Sequence, residues 1–131
     1  MNKAIVYIAA ATLAGGGLAV AAAKDKKPAA AVRLIGQPQS CVYVRQIRST
    51  DVIDDSTIDF KMIGGKIFRN ILPHSCPRLG FEESFTYRLS TSQLCHVDII
   101  RVLEQRGSGI EETVACGLGK FQQVEKVKAT G

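Results

Sequence analysis

Histidine is scarce in this chain, and the short motifs of common hydrolases and nucleotide-binding enzymes are missing. Only His74 and His96 occur among the 131 residues, so few imidazoles are available to activate a nucleophile. The sequence has no G-x-S-x-G, no H-E-x-x-H and no phosphate-binding glycine loop in its main part, which argues against an ordinary hydrolase. The absence of C-x-x-C argues against a thioredoxin-like redox role. We therefore predict a protein without catalytic residues and without a cofactor.

The excess of positive charge is also small. The full chain carries 17 basic and 12 acidic residues. Without residues 1–23, which contain Lys3 and no acid, 16 basic residues remain against 12 acidic ones. Nucleic-acid-binding domains carry a stronger basic surface, so we expect no nucleic-acid partner. The mild excess suits weak attraction to anionic polymers of a cell envelope.

A long uncharged, mostly apolar run lies at the amino terminus. Lys3 precedes residues 4–20, which carry no charge, and three consecutive alanines then supply small side chains before Lys24. This three-part pattern is typical of a secretory signal peptide over residues 1–23. An uncleaved anchor is the alternative, because the run approaches the ~20 residues that span a bilayer. Its three consecutive glycines make it weakly apolar, so we expect cleavage, a periplasmic or secreted location, and no membrane span afterwards.

The remainder of the chain divides into three predicted parts. Residues 24–39, "KDKKPAAAVRLIGQPQ", lack periodicity and are predicted to form a flexible tether. Residues 40–127 are long enough for one modest hydrophobic core and too short for two domains. Residues 128–131 are predicted to be a disordered tail. The sequence therefore predicts a single folded domain.

The four cysteines, Cys41, Cys76, Cys95 and Cys116, all follow the apolar run. An even number in an exported chain predicts disulfide bonds. Cys41 and Cys116 nearly bound the folded part, and domain termini are often close in space, so we predict a bridge between them. Cys76 and Cys95 then form the second bridge. In the chain-entropy model each bridge stabilises the domain by roughly 3 to 4.5 kcal/mol.

A second hypothesis places a metal- or thiol-dependent enzyme at Cys76 and Cys95. His74 and His96 lie beside them in the sequence, and zinc accepts two thiolates with two imidazoles. However, neither Cys–His spacing matches the usual two to four residues between zinc ligands, and export favours oxidation of the thiols. We therefore predict no metal site and keep this enzyme as an alternative.

Most of the folded part alternates apolar and polar residues at a period of two and is rich in β-branched side chains, which predicts strands. Predicted strands cover residues 41–47, 57–63, 66–72, 84–89 and 94–104, with weaker candidates at 50–53, 110–116 and 120–127. About six or seven antiparallel strands indicate an all-β sandwich or a small closed barrel. The alternative is an α+β fold with one short helix near Gly80–Ser84.

A hairpin at Gly64-Gly65 is the clearest local prediction. Both glycines tolerate the positive φ of a two-residue type I′ turn, which joins strands 57–63 and 66–72. With that loop, the cross-strand pairs are Met62 with Ile67, Phe60 with Arg69, and Ile58 with Ile71.

The stretch "DVIDDSTID" holds four aspartates. Adjacent Asp54 and Asp55 point to opposite faces of an extended chain, and the spacing lacks the alternation and glycine of an EF-hand loop. Asp51, Asp55 and Asp59 share one parity and are predicted to face solvent. The sequence therefore predicts a turn at residues 54–56 and a solvated strand face rather than a cation site.

Arginines are the remaining candidates for a site. The predicted binding residues are Arg45, Arg69 and Arg88, with the aromatic residues Tyr43, Phe68 or Tyr87 between them. On one sheet face they would form a cationic and aromatic surface for an anionic ligand or a protein partner. The alternative is that strand arginines pair with nearby carboxylates.

The run from Cys41 to Leu103, together with "CGLGKF" at residues 116–121, resembles an uncharacterised family of small exported proteins from Gram-negative bacteria. The cysteines, the Asp-Asp turn, the Gly-Gly hairpin and the returning "RN-L" carry the resemblance, which covers about residues 41–121. It implies export and a single domain, and it transfers no catalytic residue.

These observations together predict an exported, non-enzymatic β-domain that binds or stabilises an envelope partner, either a protein or an anionic ligand. Besides the metal- or thiol-dependent enzyme, an OB-like binder of an anionic polymer is an alternative. Such a binder predicts affinity that falls steeply with added salt.

Overall fold

A computed structural model describes residues 31–127; the predicted signal peptide, the first part of the tether and the tail lie outside this range. Within it the chain forms β1 (Val32–Leu34), β2 (Cys41–Tyr43), β3 (Ile47–Asp54), β4 (Thr57–Met62), β5 (Ile67–Ile71), β6 (Phe85–Tyr87), β7 (Gln93–Cys95), β8 (Ile99–Arg106), β9 (Gly109–Gly117) and β10 (Phe121–Lys126). A four-residue helix, α1 (Leu79–Glu82), precedes β6, and a 3-10 turn (Val44–Gln46) follows β2. The predicted all-β class is confirmed; residues 31–127 form ten strands where six or seven are predicted, and they include the one short helix of the alternative interpretation.

The strands form three antiparallel sheets. The largest has the order β1-β10-β5-β4-β3, the second pairs β2 with β7, and the third has the order β6-β8-β9. All three contribute side chains to one buried cluster. Phe60 on β4 meets Phe121 on β10 edge to face, with ring centroids 5.3 Å apart, and also contacts Phe85 on β6. The domain is therefore single, with its core between the five-stranded sheet and the two smaller sheets.

The hairpin between β4 and β5 forms, but the predicted register is wrong by one residue. Its loop has three residues, because the Met62 N–H donates to the Lys66 carbonyl at 2.8 Å. Gly64 and Gly65 have φ values of 96° and 98°, as a turn there requires. In the observed register Phe60 faces Phe68, Asp59 faces Arg69 and Ile58 faces Asn70. A slip of one residue exchanges the two faces of a strand, so Phe68 and Asn70 are buried and Ile71 is exposed.

The aspartates around this hairpin are only partly solvated. The predicted turn is present, since the Ser56 N–H donates to the Asp54 side chain at 2.8 Å. Asp55 has a structural role: its carboxylate accepts the Gly80 N–H at 2.7 Å and its backbone carbonyl accepts the Cys76 N–H. Asp59 is fully buried, which corrects the prediction that it faces solvent.

Two long predicted strands are each divided. The strand predicted over residues 41–47 is interrupted by the 3-10 turn. The strand predicted over residues 94–104 breaks between β7 and β8, where the Asp98 carboxylate accepts the Cys95 N–H at 2.7 Å and a tight turn follows. A short polar side chain that bonds the backbone competes with the strand ladder in this way.

The folded part begins earlier than residue 40. Strand β1 lies inside the segment predicted as a tether and pairs with β10 in register, from Val32 opposite Lys126 to Leu34 opposite Val124. An additional bridge joins Gln39 to Phe121. The segment supplies the outermost strand of the five-stranded sheet. Without it, the backbone N–H and C=O groups along the outer edge of β10 would lack strand partners.

Both disulfides form, with a pairing that differs from the prediction. The bonds are Cys41–Cys95 and Cys76–Cys116. Cys41 and Cys95 occupy directly opposite positions of the β2–β7 ladder, so the ladder itself brings their sulfurs together. The predicted Cys41–Cys116 bond is wrong because the prediction assumes that a disulfide joins the two ends of the domain. Those ends meet instead through the pairing of β1 with β10.

Candidate functional site

A shallow depression opens beside the β2–β7 sheet. It has a volume of ≈ 400 Å³ and is lined by Val44, Arg45, Tyr87, Leu89, Thr91 and Ser92. We call this the Arg45 depression. Its volume lies near the lower end of the range of about 300–1,000 Å³ that small-molecule sites occupy.

Two walls of the depression come from the chain on either side of the β2–β7 ladder. After β2 the chain enters the 3-10 turn that carries Val44 and Arg45, and before β7 it passes through Thr91 and Ser92. The Val44 N–H donates to the Ser92 carbonyl at 3.0 Å, which holds these two segments side by side. The Cys41–Cys95 bond closes the other end of the same ladder. The position of Arg45 is therefore fixed by a hydrogen-bonded ladder and a covalent bond.

The third wall is the end of β6, which carries Tyr87 and leads to Leu89. Tyr87 is in register with Ile100 of β8, and its ring lies 6.4 Å from that of Phe85. Tyr87 and Leu89 also pack against the main core. Burial raises the pKa of the Tyr87 hydroxyl above its usual range, so this group is neutral and able to donate a hydrogen bond at physiological pH.

Within residues 31–127, Arg45 differs from most other arginines in lacking an acidic partner. Eight arginines lie within residues 31–127, and six of them have a carboxylate within 4.0 Å: Arg33, Arg69, Arg78, Arg88, Arg101 and Arg106. Arg45 and Arg48 have no such partner among the described residues. Arg48 lies at an irregularity of the edge strand β3, whereas Arg45 lines the depression.

The other predicted binding residues do not join Arg45 in one surface. Arg69 donates to both carboxylate oxygens of Asp59, at 2.7 and 2.9 Å. Phe68, its neighbour in β5, is buried in the core, so these two side chains point to opposite faces of the sheet. Arg88 pairs with Glu112 at 2.6 Å. The alternative in which strand arginines pair with carboxylates describes Arg69 and Arg88.

Tyr43 is half exposed on β2, opposite Gln93. Sequence reasoning identifies Arg45 and Tyr87 and misses the other four lining residues, Val44, Leu89, Thr91 and Ser92. The run "STSQ" at residues 90–93 predicts a turn, but the break in the first strand that places Arg45 beside that turn has no clear signal.

The sulfur atoms proposed for thiol or metal chemistry are bonded elsewhere. Cys76 is bonded to Cys116 and Cys95 to Cys41, so the predicted meeting of Cys76 with Cys95 does not occur. In the part of the chain that the structure describes, no three histidine, cysteine or acidic side chains are grouped as metal ligands. Between residues 31 and 127, no helix has the length and hydropathy to cross a membrane.

A second charged cluster, remote from the depression in sequence, is fully paired. The Glu104 carboxylate accepts a hydrogen bond from the Thr113 hydroxyl at 2.8 Å and pairs with Arg106 at 3.2 Å and Arg78 at 3.8 Å. The Thr113 hydrogen bond, followed by Arg106 and Arg78, lowers the pKa of Glu104 although burial opposes the shift. We assign this cluster a structural role, because its charged side chains pair with one another and leave none available for a ligand.

The lowered pKa of Glu104 predicts that acid removes part of the stability of the domain. Above about pH 4.3 the group is ionised in the folded and unfolded states and its contribution is complete. As the pH falls through the lowered pKa of the folded state, the unfolded chain has already taken up the proton and the contribution is lost. Urea unfolding between pH 6 and 2.5 should therefore show a smaller acid-dependent loss for Glu104→Gln than for the wild type. Equal slopes for the two proteins would contradict this assignment.

Comparisons with known proteins do not place the chain in a family. No family model, curated protein or solved structure matches it. Function is therefore inferred from the side chains that line the Arg45 depression.

Proposed function

We propose that this chain is an exported, non-enzymatic β-domain of the bacterial envelope that binds an anionic ligand or partner at the Arg45 depression. The observation that carries the proposal is an arginine without a carboxylate partner among the described residues, held at the rim of a concave site. An exposed guanidinium offers a planar fork of donors that matches a carboxylate or a phosphate.

The neighbouring arginines support this assignment by contrast. Arg88 directly follows Tyr87 in the chain, yet it is paired with Glu112. Arg101, on the neighbouring strand β8, lies 3.9 Å from the same carboxylate. The positive charges of Arg88 and Arg101 are therefore offset by a carboxylate of the domain itself. Arg45 keeps its hydrogen-bond donors available for a molecule from outside the domain.

Export is supported by two features of the chain. The amino-terminal run has the three parts of a signal peptide. The two disulfide bonds are compatible with an oxidising compartment. The resemblance to small exported proteins of Gram-negative bacteria points the same way, and we place the mature domain in the periplasm or outside the cell.

The proposal is tested by an anion titration of the protein purified from the periplasm of a Gram-negative host that expresses the full chain. Backbone NMR signals are followed while acetate, inorganic phosphate, octanoate and short-chain polyphosphate are added separately. At least one of these anions should shift the signals of Val44, Leu89 and Ser92. Arg45→Gln should weaken its binding by about tenfold or more, as expected for a hydrogen bond to a charged group.

Arg48→Gln is the matched control, because Arg48 also lacks a carboxylate partner in the described range and lies three residues away, outside the lining. It should change the affinity less than twofold. Equal losses in the two variants would indicate non-specific attraction to positive charge and would overturn the proposal. So would the absence of any Arg45-dependent shift with all four anions.

A further inference from the structure

We infer that the ligand of the Arg45 depression is an amphiphilic monoanion: one carboxylate, sulfate or phosphate-type head group attached to an apolar body. The inference rests on the proposed function and narrows it. It separates a small amphiphile from the anionic polymer that the mild positive charge of the chain also suggests.

The single charge of the depression sets the charge of the ligand. Arg45 is the only ionisable cation among the six lining residues. A polyanion requires a track of cations spaced along its backbone, and the arginines closest in the chain do not provide one. Arg88 is paired with Glu112, and Arg48 does not line the depression. One guanidinium suits one head group.

The walls of the depression favour an apolar body. Val44, Tyr87 and Leu89 are partly buried and pack against the main core, so their outward surfaces are held in place. A ligand segment that covers them removes apolar surface from water on both sides, and no main-chain movement is needed to receive it. A bare anion such as acetate gains none of this contact.

The polar groups of the depression are few, and two of them are already occupied. The Thr91 hydroxyl is within 3.3 Å of both the N–H and the carbonyl of Gln93, in a local turn. The Ser92 carbonyl accepts the Val44 N–H. Tyr87 and Ser92 also line the depression, and each carries a neutral hydroxyl that can donate. A head group bound by one guanidinium and neutral hydroxyls matches a monoanion better than a sugar, which needs many hydrogen-bond partners at once.

The test compares probes that differ in one feature at a time, with the same protein and the same NMR signals. Butanoate, hexanoate and octanoate vary the body, and 1-octanol removes the charge. Octyl sulfate and methyl octyl phosphate, a monoanionic diester, change the head group, and polyphosphate supplies many charges. Octanoate should bind at least tenfold more tightly than acetate, since each buried methylene adds roughly fourfold. It should also bind at least tenfold more tightly than 1-octanol, and Arg45→Gln should abolish that second difference.

The chain-length series tests the apolar wall without a mutation, and Leu89→Ala tests it directly by reducing the gain from butanoate to octanoate. Preference among octanoate, octyl sulfate and methyl octyl phosphate, which all carry one charge, identifies the head group, and each order supports the amphiphile. Tighter Arg45-dependent binding of polyphosphate than of octanoate would overturn the amphiphile while leaving anion binding at the depression intact. Affinity that does not increase with chain length would overturn it as well. The failure of every anion to depend on Arg45 would overturn the proposed function itself.

Discussion

Replacing Gly119 with alanine is expected to destabilise the domain by about 3 kcal/mol or more. An alanine Cβ at this position would be forced against the Ile71 carbonyl oxygen, which belongs to the backbone and has little freedom to move. Overpacking against backbone lies at the upper end of the ~1–3 kcal/mol typical of such changes. For a domain of this size the loss corresponds to a fall in melting temperature of about 12 °C or more, which calorimetry or circular dichroism measures.

Gly119 lies close to the backbone of β5 because the Asn70 side chain binds both its carbonyl and its N–H. The buried Asn70 carboxamide donates to the Gly119 carbonyl at 2.7 Å and accepts the Gly119 N–H at 2.8 Å. These two bonds satisfy backbone groups of the bend that leads into β10, where an ordinary strand ladder does not reach them. An added Cβ disturbs both bonds in addition to creating the clash, and each unsatisfied buried group costs about 1–3 kcal/mol.

Gly117→Ala is the matched control for this prediction. Gly117 lies two residues away, at the end of β9, and a Cβ there has no neighbouring atom within 4 Å. The control should change the free energy of unfolding by less than about 0.5 kcal/mol. If both variants lose similar stability, or if Gly119→Ala melts like the wild type, the close contact between residues 70, 71 and 119 is not maintained in solution.

The fold class could be predicted because it follows from local sequence patterns. Alternation at a period of two and turn residues at 54–56 and 64–65 identify β4, β5 and their connections without tertiary information. The short helix belongs to the alternative α+β interpretation, near Gly80–Ser84, and the observed helix is Leu79–Glu82. The break after β7 has a local signal, since Asp98 accepts the Cys95 N–H, but the break after β2 depends on the long-range bond from Val44 to Ser92 and has no local signature. Disulfide pairing failed for the same reason, since it depends on which strands meet.

The register of the hairpin shows why the site could be predicted only in part. Residues 66–72 carry apolar side chains at both parities, so burial alone does not choose between a loop of two residues and one of three. The charged residues distinguish the two registers, because only the observed one places Arg69 opposite Asp59. That pairing removes Arg69 from the list of free cations. Arg45 lies in a segment whose neighbour, residues 91–92, is almost 50 positions away, and its isolation from carboxylates is a property of the folded chain.

Asp59→Ala is expected to destabilise the domain by about 3–5 kcal/mol, since it leaves the Arg69 guanidinium largely buried and without its partner. The Arg69 side chain is 11% exposed and that of Asp59 is 0% exposed, so water replaces little of the lost interaction. In the wild type the hydrogen bond to Asp59 raises the pKa of Arg69 even though burial opposes it. The variant loses that bond, but a guanidinium stays protonated at neutral pH without it, so the arginine does not escape the penalty by losing its proton. Urea unfolding at neutral pH measures the loss.

Two further variants separate the cost of a broken pair from the net contribution of the intact pair. Arg88→Ala removes an exposed partner of Glu112 and should cost about 1 kcal/mol or less, as surface ion pairs do. The double variant Asp59→Leu/Arg69→Leu should be more stable than Asp59→Ala, because two apolar side chains on neighbouring strands bury no unpaired charge. A double variant less stable than Asp59→Ala would show that the pair itself, and not the avoidance of a lone buried charge, stabilises the centre of this sheet.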